Sequence, residues 1–121
     1  GVEYFYILGM VHLEVFSIKR GSVHLCVDGI AFLLLYKEED ITFKLCDLYA
    51  LKKKIMNLDV VALFDSESPD IDVIHLPHCN RFLVLNVLEL LEFRELLNGT
   101  FDILALNSAI QQILRKEVFR L

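Results

Sequence analysis

Glycine is sparse in this sequence and scattered: Gly1, Gly9, Gly21, Gly29 and Gly99 are too far apart to build a phosphate-cradling loop or a dinucleotide fingerprint. Long apolar runs are missing as well. The longest covers residues 30–36, well short of the roughly 18 residues that suggest a membrane span, so no membrane association is expected. Positive charge is scarce, with 12 Lys and Arg against 17 Asp and Glu and a net charge of -5. Non-specific nucleic-acid binding needs clustered Lys and Arg to displace counterions from phosphates, so no nucleic-acid partner is expected. The one basic run, Lys52-Lys53-Lys54, falls in an expected helix and reads as a solvated face. Cysteine occurs three times, as Cys26, Cys46 and Cys79. An odd number without regular spacing does not make a disulfide framework and favours a reducing, cytoplasmic compartment. Neither a G-x-S-x-G elbow nor an H-E-x-x-H helix occurs.

Apolar residues are abundant. They make up 55% of the 121 residues, a share little changed if the five Gly are counted instead of the four Tyr, against roughly 45–50% in ordinary domains. A chain of this length forms one domain and buries roughly two-thirds of its extended surface. With no membrane span to absorb the excess, the surplus must be hidden in protein, and a homo-oligomer is expected. No charged, apolar and cleavable leader follows Gly1, which reads as a cut end or a tag-cleavage scar.

The pattern of residues sets out the elements in order. Residues 4–8 are an edge strand or an irregular lead-in. Residues 10–18 alternate, with Val11, Leu13 and Val15 on one side and His12 and Glu14 on the other, as a half-buried strand does. After a turn at 19–22, Val23, Leu25 and Val27 alternate with His24, Cys26 and Asp28, and Asp28-Gly29 signals a two-residue hairpin turn. That turn sets Leu25 across from Phe32, Val23 across from Leu34 and His24 across from Leu33, and the returning strand is apolar on both faces, as a covered central strand is. Leu45, Leu48, Leu51, Ile55 and Leu58 repeat at helical spacing, predicting a helix over 40–57. Residues 59–65 read as strand and SESPD at 66–70 as loop.

The densest stretch comes next. Residues 71–76 and 82–85 read as strands about a turn at Pro77-His78-Cys79-Asn80-Arg81. Asn86 with Glu89 forms a capping box for a helix that Gly99 can end, and Thr100 can cap a last helix carrying Ile103, Leu106, Ile110, Ile113, Leu114 and Val118. The fold class expected is α+β: antiparallel β-hairpins in one sheet, packed by one mid-chain helix and a C-terminal helical hairpin. A weak internal duplication, about 10–58 and 59–121, is suggested by His24-Leu25-Cys26 before Phe32 and His75-Leu76-Pro77-His78-Cys79 before Phe82.

Two chemical constellations can be drawn. His24, Cys26, His75, His78 and Cys79 carry the imidazole and thiolate ligands that zinc prefers, although no Cys pair has knuckle spacing. The competing reading is of small buried cysteines and of histidines at strand ends. A nucleophilic Cys79 would need His75 or His78 brought to it by the turn. Asp65, Glu67, Asp70 and Asp72 lack the mid-loop Gly and terminal Glu of an EF-hand and read as solvated.

The segment from His75 through Phe82 to Leu114, with LELLEFRELLNG followed by FDILALNSAIQQIL, resembles small uncharacterised proteins of Bacteroidetes that are classed as a domain of unknown function. The resemblance covers the last third of the chain. It implies a bacterial cytoplasmic protein with a strand-turn-strand-helix unit and no known activity. The expected function is a non-enzymatic interaction or regulatory module that self-associates or engages a protein partner; the alternative is a small zinc-binding protein, with no other cofactor expected.

Overall fold

A computed structural model describes residues 4–7, 10–26, 31–59, 61–62 and 71–118. Five strands, β1 (Tyr4–Ile7), β2 (Met10–Ile18), β3 (Gly21–Cys26), β4 (Ala31–Tyr36) and β5 (Glu39–Lys44), form an antiparallel meander in chain order. Helix α1 (Leu45–Met56) follows β5 directly. A second, two-stranded sheet joins β6 (Ile71–Leu76) to β7 (Arg81–Asn86), and α2 (Val87–Val118) completes an α+β fold. Among the described residues no helix is long and apolar enough to cross a membrane.

The register of β3 on β4 is the one the Asp28-Gly29 turn demands, with Val23 opposite Leu34, His24 opposite Leu33 and Leu25 opposite Phe32. The turn itself lies outside the described residues. On β4, Phe32, Leu33 and Leu34 are all buried, so this strand is covered on both faces near its middle. On β2 the alternation is interrupted by a bulge between Glu14 and Phe16. Such a bulge re-aims the residues beyond it, and Phe16 and Ile18 pack against the core. His12, expected on the polar side of a half-buried strand, is buried.

Four expectations are corrected. The helix predicted over 40–57 begins only at Leu45, because Glu39–Lys44 is strand β5, with Ile41 and Phe43 inward and Asp40, Thr42 and Lys44 outward. The β4–β5 turn carries no glycine: Lys37 takes the positive φ of 53°, a conformation that non-Gly residues adopt infrequently. Of the strand predicted over 59–65, Val61 and Ala62 have helical backbone, with the Ala62 amide donating to Asp59 Oδ1 at 3.1 Å; Val60 and residues 63–70 lie outside the described residues.

The third correction concerns the C-terminal half. The capping box forms as expected, the Glu89 amide donating to Asn86 Oδ1 at 2.8 Å and the Asn86 amide to Glu89 Oε1 at 3.0 Å. Gly99 does not end the helix, however, and the helical hairpin is one continuous helix of 32 residues. Gly99 lies where α2 crosses β2: a Cβ there would sit 2.5 Å from Cδ1 of Phe16 and closer still to Cε1 and Cζ. Thr100 is buried, and its hydroxyl donates back to the Leu96 carbonyl at 2.7 Å instead of capping a new helix.

Instead of one sheet there are two, sharing one core. Ile74, Leu76, Leu83 and Leu85 from the inner face of β6–β7 pack with Leu34, Ile41, Phe43, Leu48, Ile55, Leu90, Phe93 and Leu97. The hairpin does not extend the meander, because side chains from its turn occupy the free edge of β5. His78 Nε2 donates to the Thr42 carbonyl at 2.9 Å and Arg81 to the Asp40 carbonyl at 2.9 Å, with an ion pair between Arg81 and Glu39. Exposed strand edges are templates for unwanted pairing, and charged side chains laid along them are one way they are blocked.

Strand, turn, strand and immediate helix occur twice, as β4–β5–α1 and β6–β7–α2. Strands β5 and β7 show the same inward positions, and Ile41, Phe43, Leu48, Leu51 and Ile55 correspond at a constant spacing of 42 to Leu83, Leu85, Leu90, Phe93 and Leu97.

Candidate functional site

The five residues singled out as metal ligands fall on separate elements. His24 and Cys26 lie buried on β3, two apart and hence on one face of the strand. His12 and Glu14 on β2 oppose Cys26 and His24, so the four share that face, and the His12 and His24 rings meet edge-on with centroids 6.2 Å apart. Ser22 Oγ and His24 Nε2 are hydrogen-bonded at 2.9 Å. Burial holds the His24 pKa below the usual imidazole value, aided by His12 and opposed by Glu14.

His75, His78 and Cys79 lie on β6 and the turn after it, each engaged locally. The His75 ring lies on Phe82, centroids 4.8 Å apart, and its Nε2 donates to Asn80 Oδ1 at 3.2 Å. Besides its bond to the Thr42 carbonyl, His78 lies on Phe43 with centroids 4.5 Å apart. The Cys79 thiol points back to the Leu76 carbonyl at 3.9 Å, so neither imidazole is placed as its base. Among the described residues no group of three or more His, Cys, Asp or Glu side chains is arranged to hold a metal ion. Asp72 sits on β6, while Asp65, Glu67 and Asp70 lie outside the described residues.

Charge is concentrated where the β2–β3 and β4–β5 turns of the meander meet the first turns of α2. Arg20 grips Glu92 through both Nε, 3.1 Å from each carboxylate oxygen, and Nη2, 2.6 Å from Oε1. The Tyr36 hydroxyl donates to Glu92 Oε2 at 2.5 Å, and Lys37 pairs with Glu89. The Arg20 guanidinium, followed by the Tyr36 hydroxyl, holds the Glu92 carboxyl below its usual range; burial and then the Glu92 carboxylate push the Tyr36 phenol up. Both oxygens of Glu92 are engaged, so this network fastens the turns to the helix.

One face left open is the outer face of β6–β7. Inner positions Ile74, Leu76, Leu83 and Leu85 are buried, whereas Ile71, Val73, Phe82 and Val84 are 54–60% exposed. Val73 opposes Val84 and His75 opposes Phe82, so these side chains form a continuous row across the two strands. At those exposures the four present roughly 400 Å² of surface, within the range of the largest apolar patch on a typical monomer, which is often functional. Sequence reasoning missed this surface, although the signal was present: Phe82-Leu83-Val84-Leu85 is apolar at four consecutive positions, and a hairpin strand with one buried face needs only alternate ones. No family model, curated protein or solved structure matches the chain.

Proposed function

We propose that this protein is a non-enzymatic interaction module that self-associates through the outer face of the β6–β7 hairpin. The observation that carries the reading is the cross-strand apolar row of Ile71, Val73, Phe82 and Val84, left exposed on a hairpin whose other face is committed to the core. A second copy fits it on symmetry: an isologous pair sets each row on its counterpart, removing roughly 800 Å² of apolar surface from water before the surrounding rim is counted. The rim carries both signs, with Lys37 and Arg81 beside Glu38 and Glu39, which suits a surface that must meet a copy of itself.

Sedimentation velocity tests this. The unaltered chain is expected to be dimeric at micromolar concentration, and Val73→Lys with Val84→Lys is expected to give a monomer with unchanged circular dichroism, because both side chains point away from the core. A monomeric unaltered chain, or a dimer indifferent to the double substitution, overturns the proposal.

A further inference from the structure

A second apolar surface lies on the opposite side of α1 from the His75–His78 turn, in a groove of 640 Å³ between α1 and α2. Leu45, Cys46 and Tyr49 form one wall, Phe101, Leu104 and Ala105 the other, and Phe32 of β4 also lines it. Apart from the Tyr49 hydroxyl and the Cys46 thiol, these side chains are hydrocarbon. The groove is unfilled among the described residues, and Leu45 and Tyr49 remain about half exposed, at 51% and 49%.

The charge at its border is unlike the rest of the chain. Lys52 and Lys53 follow Tyr49 by three and four residues, so helical periodicity carries the same face of α1 from hydrocarbon to ammonium. Lys52 Nζ lies 5.1 Å from the Phe101 ring centroid and Lys53 Nζ 5.7 Å from that of Tyr49, so both cations stand over aromatic walls of the groove. Neither lysine joins an ion pair among the described residues, in a chain where acidic residues outnumber basic ones by 17 to 12. Hydrocarbon walls ending at two ammonium groups that have no carboxylate partner among the described residues complement a molecule with one apolar chain and one anionic end.

We infer that the α1–α2 groove binds a long-chain carboxylate, its aliphatic tail between Tyr49 and Leu104 and its acid group at Lys52 and Lys53. The volume lies within the range of small-molecule sites, and the polar complement is two charges at one end, which cannot read a nucleotide or a sugar. Cys46 in the wall is an exposed thiol and reports occupancy without taking part in binding.

Alkylation of Cys46 tests the inference in a Cys79→Ser background, which removes the other exposed thiol; Cys26 is buried. Dodecanoate, kept below its micelle concentration, is expected to slow Cys46 alkylation saturably. Lys52→Gln with Lys53→Gln is expected to raise the half-protecting concentration about tenfold, the loss of a charge-assisted contact, while leaving protection by dodecanol unchanged. Ala105→Phe, which fills the groove, is expected to abolish protection by both. Absence of protection by dodecanoate overturns the inference. So does protection equal to that by dodecanol and insensitive to the lysine substitutions, which would leave an unselective apolar surface. Protection that vanishes in the Val73→Lys, Val84→Lys monomer overturns it too, because a second copy would then be the cover. Persistence in that monomer supports binding to the single chain and separates this result from the fate of the self-association proposal.

Discussion

Gly99→Ala is the substitution on which two accounts of α2 differ most sharply. In an ordinary helix interior, Ala in place of Gly gains about 1 kcal/mol. Here the added methyl would meet Cε1, Cζ and Cδ1 of Phe16 together, and Phe16 is partly buried against the core, so its ring must give up part of that packing to make room. Overpacking of this kind costs about 1–3 kcal/mol, and three ring atoms in collision place this site in the upper part of that range. The net expectation is a loss of roughly 1–2 kcal/mol, which lowers the melting temperature of a domain this size by about 4–8 °C. A glycine ending the helix in the left-handed conformation would also lose stability on becoming Ala, so the single substitution does not separate the accounts. Phe16→Leu does. If the crossing of α2 over β2 is the cause, Gly99→Ala is neutral or stabilising in the Phe16→Leu background, and the double-mutant cycle shows a coupling of about 1–2 kcal/mol. Thermal unfolding of the four proteins by circular dichroism decides it, and a cost that is the same with Phe or Leu at 16 refutes the continuous helix as described.

Asn86→Ala removes the acceptor for the Glu89 amide and is expected to cost about 1 kcal/mol in chemical denaturation; no change would mean that the capping box contributes nothing. Glu92 and His24 both have lowered pKa values, so for each group the unfolded chain takes up protons first as pH falls. The His24 contribution is present above its ordinary 6.5 and is lost as pH drops below it; that of Glu92 is present above 4.5 and lost below. Melting temperature is therefore expected to fall from pH 8 to 5, less steeply in His24→Gln, and to fall again below 4.5, less steeply in Glu92→Gln; a flat profile contradicts both assignments. Native mass spectrometry of protein purified without chelator is expected to show pairs of chains without zinc. One zinc per chain would mean that ligands gather in a way the positions of His24, Cys26, His75, His78 and Cys79 do not indicate.

What could be read from the sequence divides along a physical line. Features written in local chemistry were legible: the strand pairing set by Asp28-Gly29, the Asn86–Glu89 box, the double coverage of β4. The features missed were decided by contacts across the chain. Lys37 takes a left-handed conformation that its identity does not advertise, so β5 was read as the start of α1. Gly99 and Thr100 carry the local signature of a helix end and a cap, but a glycine is also what lets a helix pass close to another backbone. Only the position of Phe16 decides between the two uses. The partners of the candidate ligands His75 and His78 are likewise set across the chain, being Phe82, Asn80, Phe43 and Thr42, three of them from other strands and one from the same turn.

The apolar surplus is where composition and structure meet. Apolar residues make up 55% of the chain, and part of what the core leaves exposed gathers on two surfaces. The core takes alternate positions of β6 and β7 and one stripe each from α1 and α2, leaving Val73, Phe82 and Val84 on one side and Leu45, Tyr49 and Leu104 on the other. The two remainders differ in shape and in charge. The hairpin face is a row of side chains across two strands with both signs around it, which suits a copy of itself. The α1–α2 groove is concave, with the Lys52 and Lys53 ammonium groups over its aromatic walls, so like charge would set two such grooves against each other. On the two proposals, shape and charge call for different partners, and the Val73→Lys, Val84→Lys substitutions should leave the groove intact.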